Sequence, residues 1–286
     1  MFKKRLGTAL WLILILIAVI YFSYQVPILF FAVGNIIIFL GVREFTRMTG
    51  GVLSLGVLGG MALFSAVFIQ AAGPEFLPRH LHFFADPQWV NAVLFLAVIA
   101  LFIFQATRRD SSAAIVRISS TIAAIIYVAW LFSFLPRINY YFHNGGGGGD
   151  GRYYIFFLFL VVKVNDSAAY FVGSWMGKHK LIPRISPGKT VEGAVGGVLF
   201  AGLSAVGARF VFNLVRISWP AALTLGFVLG AAAVMGDLAE SILKRSAARK
   251  DSGRTLPGLG GILDLFDSLF FTAPLLYLYM KLILKL

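Results

Sequence analysis

The sequence predicts an all-α, polytopic transmembrane helical protein with about nine spanning helices and a cytoplasmic N-terminus. Three observations predict it. The 286 residues are 59% hydrophobic and only 13% charged, with a mean hydropathy of +0.86, whereas soluble domains carry about 25% charged residues. The apolar residues fall into windows of roughly twenty, the length at which a helix crosses the hydrocarbon core. The basic residues are shared unequally between the two sides those windows define. One membrane domain is expected over 1–286, with N-terminal helices over about 1–150 and a second half, about 151–286, carrying charged loops at 174–193 and 239–264.

The first window follows Lys3-Lys4-Arg5 and runs apolar from Ala9 to Phe22. No small-x-small cleavage site follows, since Phe22-Ser23-Tyr24-Gln25 is too bulky, so a retained first helix is expected over about 7–24. The remaining windows are about 26–42, 51–72, 90–106, 113–135, 153–173, 194–214, 221–238 and 265–284. With the N-terminus inside, sixteen Lys and Arg fall in inner segments, five in outer segments and four within spans. That excess orients the chain and puts both charged loops on the cytoplasmic side of the inner membrane. It also accounts for the net charge of +13, so no nucleic-acid partner is expected. With no cysteine in the chain, disulfides and thiolate metal sites are excluded. The five glycines Gly145 to Gly149 form a loop too unconstrained to hold a site.

The chemistry concentrates between Gly236 and Ser268, where five of the twelve acidic residues lie: Asp237, Glu240, Asp251, Asp264 and Asp267. Asp237 and Glu240 are three apart and Lys244 is four further on, a spacing that puts all three on one helix face. Asp264 and Asp267 repeat the three-residue spacing where the last span begins, and Asp166, after Asn165, lies near the inner end of the sixth. A charged carboxylate at mid-bilayer costs roughly 2.5–3.5 kcal/mol, so such residues face a partner or a cavity. Oxygen ligands without Cys or a His cluster favour a hard cation, Mg²⁺ rather than Zn²⁺. His80, His82 and His143 read as surface residues, as does His179 in the first charged loop.

That loop runs from Gly177 to Gly193. Gly188-Lys189-Thr190 resembles the end of a phosphate-binding Walker loop, but Pro183 stands where the motif needs Gly, so a P-loop is rejected. What remains is a Ser186-Pro-Gly-Lys-Thr190 turn feeding a Gly-rich helix, where free backbone N–H groups and Lys189 receive a phosphate. Gly258, Gly260 and Gly261 after Pro257 mark a tight turn that delivers Asp264 beside a close-approaching backbone. Gly193, Gly196, Gly197, Gly226 and Gly230 read as close-packing positions between helices.

Ser241, Lys244-Arg245, Lys250-Asp251, Pro257-Gly258, Gly260-Gly261, Asp264 and Asp267-Ser268 together resemble the signature of the phosphatidate cytidylyltransferases, or CDP-diacylglycerol synthases. The upstream Asp166-Ser-Ala-Ala-Tyr170, Gly173, Gly177-Lys178, Ser186 to Thr190 and Glu192-Gly193 are similar to that family in the same order, and Arg43-Glu44-Phe45 weakly so. The resemblance covers about 160 to 270. It departs at Leu259, where the family usually has His, and at Leu265, where it usually has Arg. It implies that CTP and phosphatidic acid give CDP-diacylglycerol and pyrophosphate in a bilayer enzyme that needs Mg²⁺ (with a second cation an open question) and is often a homodimer. On this reading Asp237 and Asp264 are principal metal ligands, with Asp166, Glu240 and Asp267 as further ligands or supporting groups. Lys244 and Lys250 act in catalysis. Lys189, Ser186, Thr190, Arg245, Asp251, Gly260, Gly261 and Arg254 hold the nucleotide and lipid phosphates, Arg254 or Arg249 standing in for the missing guanidinium. A CTP-dependent polyprenol or lipid kinase and an inactive membrane scaffold remain alternatives.

Overall fold

The computed structural model describes residues 2–73, 79–142, 150–253, 255–256 and 260–284. Its helices are α1 (Phe2–Tyr21), α2 (Pro27–Thr49), α3 (Leu53–Ala72), α4 (Gln88–Ala106), α5 (Ala114–Ala124), α6 (Phe134–Asn139), α7 (Gly151–Met176), α8 (Val191–Val211), α9 (Trp219–Ser246) and α10 (Ile262–Leu282). A two-stranded hairpin, β1 (Lys180–Ile182) and β2 (Ser186–Thr190), precedes α8. A π-helical stretch, Ile125–Trp130, joins α5 to α6, so Ala114–Asn139 is one apolar run. Counting that run once, eight helices among the described residues are long and apolar enough to cross a membrane. α1 overlaps the first expected span, and the protein is an all-α integral membrane protein.

Local chemistry sets the helix ends. Pro27 opens α2 at a position where its missing N–H is no loss. Gly50, at φ 79°, closes it in the left-handed conformation that glycine adopts without a Cβ penalty. The Asp150 carboxylate accepts from Arg152 N at the start of α7, and the Thr190 hydroxyl accepts from Gly193 N at 3.1 Å at the start of α8.

Apolar burial does not drive helices together in lipid, so close backbone approach must hold the bundle. α8 and α9 meet through small residues: a Cβ on Gly226 would stand 2.6 Å from the Ala205 Cβ and 2.7 Å from the Ala201 carbonyl oxygen. α7 and α8 meet likewise, where a Cβ on Gly196 would fall 2.8 Å from Val172. Aromatic rings fill the larger gaps around α10, with Phe132 edge-on to Phe266 at 5.4 Å and Tyr127 against Phe270 at 5.1 Å.

Three features depart from the sequence expectation. The Ser-Pro-Gly-Lys-Thr segment, expected as a turn, is strand β2, paired antiparallel with Lys180 opposite Thr190 and Ile182 opposite Ser186. These strands are too short to show a period of two. Glu192 holds the hairpin to α8: its carboxylate accepts from Lys178 N at 3.1 Å and lies 2.6 Å from His179 Nδ1, which gives that histidine a structural contact. The second charged segment, expected as a loop from 239, stays helical to Ser246, because hydropathy ends at the charges but helix-forming residues do not. The π turn has no signal in the apolar pattern.

Gly226→Ala is expected to destabilise the protein by about 1–3 kcal/mol, the usual cost of overpacking a tight interface. Gly207→Ala on α8, with nothing within 4 Å of the added methyl, is not. Thermal denaturation of both variants in the same detergent checks the contrast.

Candidate active site

α9 carries Asp237, Glu240 and Lys244 on one face, as their spacing requires. Lys244 is the hinge of the arrangement. Its Nζ lies 2.5 Å from Glu240 Oε2 and 2.7 Å from Asp264 Oδ1, with 14% of its side chain exposed against 1% and 16% for the two acids. The other oxygen of Asp264 accepts from Ser252 Oγ at 2.8 Å, from Gly261 N at 2.8 Å and from Ser252 N at 3.2 Å. Asp264 therefore caps the first turn of α10 while pairing with Lys244. Gly260, at φ +99°, makes the turn that brings this backbone to Asp264.

Asp267 lies one turn further along α10. α9 and α10 approach so closely there that a Cβ on Gly236 would stand 2.7 Å from the Asp267 carbonyl oxygen. The result is a group of three acids, Asp237, Glu240 and Asp267, that can each offer an oxygen within 4.8 Å of the others. Like charges this close repel strongly in a low-dielectric interior unless a cation joins them. Glu240 Oε1 is buried with no hydrogen-bond partner among the described residues. An oxygen-only donor set with an unsatisfied buried carboxylate oxygen fits a hard divalent cation such as Mg²⁺. Tyr127, in the π turn, lies within electrostatic reach of all three acids, and its buried hydroxyl lacks a hydrogen-bond partner among the described residues.

The hairpin closes one side of the group. Lys189 Nζ, on β2, lies 2.5 Å from Asp237 Oδ2. A cavity of about 470 Å³ opens between them, walled by Asn165 and Asp166 of α7, by Ser186, Lys189 and Thr190, and by Asp237. Both polar atoms of the Asn165 side chain are buried on that wall, beside Asp166. Asp166 pairs with Lys163 at 3.5 Å. The Thr190 hydroxyl already caps α8, so its contribution is to shape the wall. Arg245 donates to the Ile185 and Arg249 carbonyls at 3.1 and 3.3 Å, which ties the hairpin tip to the segment after α9.

Some expected site residues stand apart from this group. Asp264 is not one of the three clustered acids: it lies beside Glu240, shares Lys244 with it, and its oxygens already have donors. Lys250 and Asp251 line a second cleft on the far side of Ser252. Leu265 packs half-buried against the core. Arg254, Pro257, Gly258 and Leu259 lie outside the described residues.

Glu44 has no role assigned by its sequence context alone. From α2, its buried carboxylate (6% exposed) accepts from Thr255 Oγ1 at 2.5 Å, Ser252 Oγ at 3.2 Å and Leu263 N at 3.1 Å. Its signals in the sequence are a carboxylate near the end of a mostly apolar helix and the weak family likeness of Arg43-Glu44-Phe45. Ser252 Oγ lies within reach of both Glu44 and Asp264 and has one proton to give, so the two acids share the donor.

Lys244→Met leaves two buried carboxylates without their shared cation and is expected to destabilise the protein by about 3–5 kcal/mol. The checking measurement is the thermal midpoint of the purified variant beside wild type.

A model of the cytidylyltransferase family matches residues 3–283. The phosphatidate cytidylyltransferase of Staphylococcus saprophyticus is 50% identical over 118 residues, covering 41% of this chain and 45% of that protein. The protein of the same name from Bacillus subtilis is 47% identical over 123 residues, covering 43% and 45%. The chain thus spans less than half the length of these curated relatives. With the family model matched along almost its whole length, the chain belongs to the cytidylyltransferase family.

Proposed function

We propose that this protein transfers the cytidylyl group of CTP to phosphatidic acid, giving CDP-diacylglycerol and pyrophosphate for phospholipid biosynthesis, with Mg²⁺ bound. The observation that carries this reading is the group of three carboxylates, Asp237, Glu240 and Asp267, flanked by the ammonium groups of Lys189 and Lys244. The family match and the names of the relatives support it. The excess of Lys and Arg on one side supports a site facing the cytoplasm. Assembly as a homodimer belongs to the same reading and rests on the family resemblance.

The reaction needs little covalent help from the protein. A phosphate monoester has a second pKa near 6, so the lipid nucleophile is mostly ionised at neutral pH and requires no general base. One of its oxygens attacks the α-phosphorus of CTP, the bond from that phosphorus to the β-phosphate oxygen breaks, and the electron pair leaves with pyrophosphate. The demand is to bring anions together in line and neutralise them. Asp237, Glu240 and Asp267 would hold Mg²⁺, which when bound supplies charge neutralisation at the phosphate oxygens. Lys189 lies on the cavity wall with Ser186 and supplies a movable cation as its link to Asp237 gives way to a phosphate. Lys244 holds positive charge at the heart of the site, and Asp264 positions it. Asp166 offers a further carboxylate across the cavity. With Leu265 in place of a guanidinium, these two lysines carry the neutralisation near the acids.

Purified protein in detergent, given phosphatidic acid, Mg²⁺ and CTP labelled at the α-phosphate, is expected to move label into lipid. Chelation abolishes the transfer, and Asp237→Asn or Asp267→Asn lowers it by at least about 100-fold, the scale for loss of a group that stabilises transition-state charge. Label reaching a polyprenol from the γ-phosphate instead would make the protein a kinase. Absence of both transfers and of Mg²⁺-dependent CTP binding would leave the scaffold reading.

A further inference from the structure

A second cleft, of about 700 Å³, lies between the end of α2 and the segment after α9. Four cations line it: Arg43 and Arg47 from α2, and Arg249 and Lys250 from the other wall. None of their side chains has an ion-pair or hydrogen-bond partner among the described residues. Two acids share the wall. Glu44 is turned inward, with both oxygens committed to Thr255, Ser252 and Leu263. Asp251 is exposed at the rim and offsets one cation. The cleft is therefore strongly positive, and its cations are free to take an external anion.

Its floor leads to the reacting centre. Ser252 lines the cleft and donates to Asp264 at 2.8 Å, and Asp264 lies 2.7 Å from Lys244, which pairs with Glu240 at 2.5 Å. The cavity is thus lined by Asp237 beside one end of this chain of contacts, and the cleft by Ser252 at its other end. Two substrates that must meet need two such openings.

We propose that the cleft is a polyphosphate subsite that takes the β- and γ-phosphates of the nucleotide and retains them as pyrophosphate after transfer. This rests on the cytidylyl-transfer reading and adds Arg43 and Arg47 to its substrate contacts. Charge favours the assignment. One phosphate monoester carries about −1.5 to −2 at neutral pH, less than four cations offset by one rim acid would neutralise, whereas a diphosphate supplies more charge and more acceptor oxygens. Geometry favours it as well. Arg43 and Arg47 are four apart on one helix, so their guanidinium forks lie side by side, and a fork suits bidentate contact with phosphate oxygens.

The test is a calorimetric titration of inorganic pyrophosphate into the full-length protein in detergent at constant Mg²⁺, for wild type, Arg43→Gln, Arg47→Gln and Arg249→Gln. Arg47 and Arg249 are exposed, so their variants are read even if Arg43→Gln does not fold. Each loss of a charged hydrogen-bonding group is expected to weaken pyrophosphate binding about 10-fold. In turnover, the KM for CTP is expected to rise by a similar factor while the KM for phosphatidic acid stays within about twofold. Unchanged pyrophosphate affinity in all the folded variants overturns the proposal. So does a rise in the KM for phosphatidic acid alone, which would make the cleft the lipid-phosphate site. If the wild type shows no cytidylyl transfer, arginine-dependent pyrophosphate binding still upholds the subsite while the reaction assigned above fails.

Discussion

One ammonium group joins the two helices that make this site. Lys244 lies between Glu240 of its own helix and Asp264 of the next, almost out of contact with solvent. Two unit charges 4 Å apart interact by about 4 kcal/mol at the effective dielectric of a protein surface, and more strongly with depth. Remove the cation, and that interaction changes from attraction to repulsion between carboxylates. Ser252 and Gly261 gather on the other oxygen of Asp264, so the contact ties α9, α10 and the residues before α10 to one carboxylate. The polar centre serves as mortar between helices that gain little from apolar burial in lipid.

Much of this was legible in the sequence because a bilayer imposes simple rules. Each span must be apolar for its whole length, so the windows appeared in composition alone. Acids near their ends must have a reason, so Asp237, Glu240, Asp264 and Asp267 stood out before any fold was known. Helical spacing then placed Lys244 with Glu240, four residues away. The functions of individual acids were harder to read. Asp264 resembles Asp237 in the sequence, yet its oxygens take up Lys244, Ser252 and Gly261, whereas Asp237 faces a cavity.

What the sequence hid was everything that depends on distant segments. Lys189 meets Asp237 across the hairpin, and strands of three and five residues leave no periodic trace. The place of Tyr127 beside the acids depends on a π turn that shifts the register of one helix. Glu44 is the clearest case, since its partners are Ser252, Thr255 and Leu263. Local pattern could mark it as an unusual carboxylate but could not supply the donors.

That separation has a consequence for how the protein is made. Glu44 is 208 residues from Ser252, and at synthesis rates of roughly 5–20 residues per second it waits about 10–40 s for its donors to emerge. Through that interval a carboxylate destined for burial sits at the end of a newly inserted helix with only Arg43 and Arg47 as neighbours of opposite sign. Arg47, three residues on along the same helix, is placed to counter that charge in the meantime, whereas Arg43, the adjacent residue, does not face it.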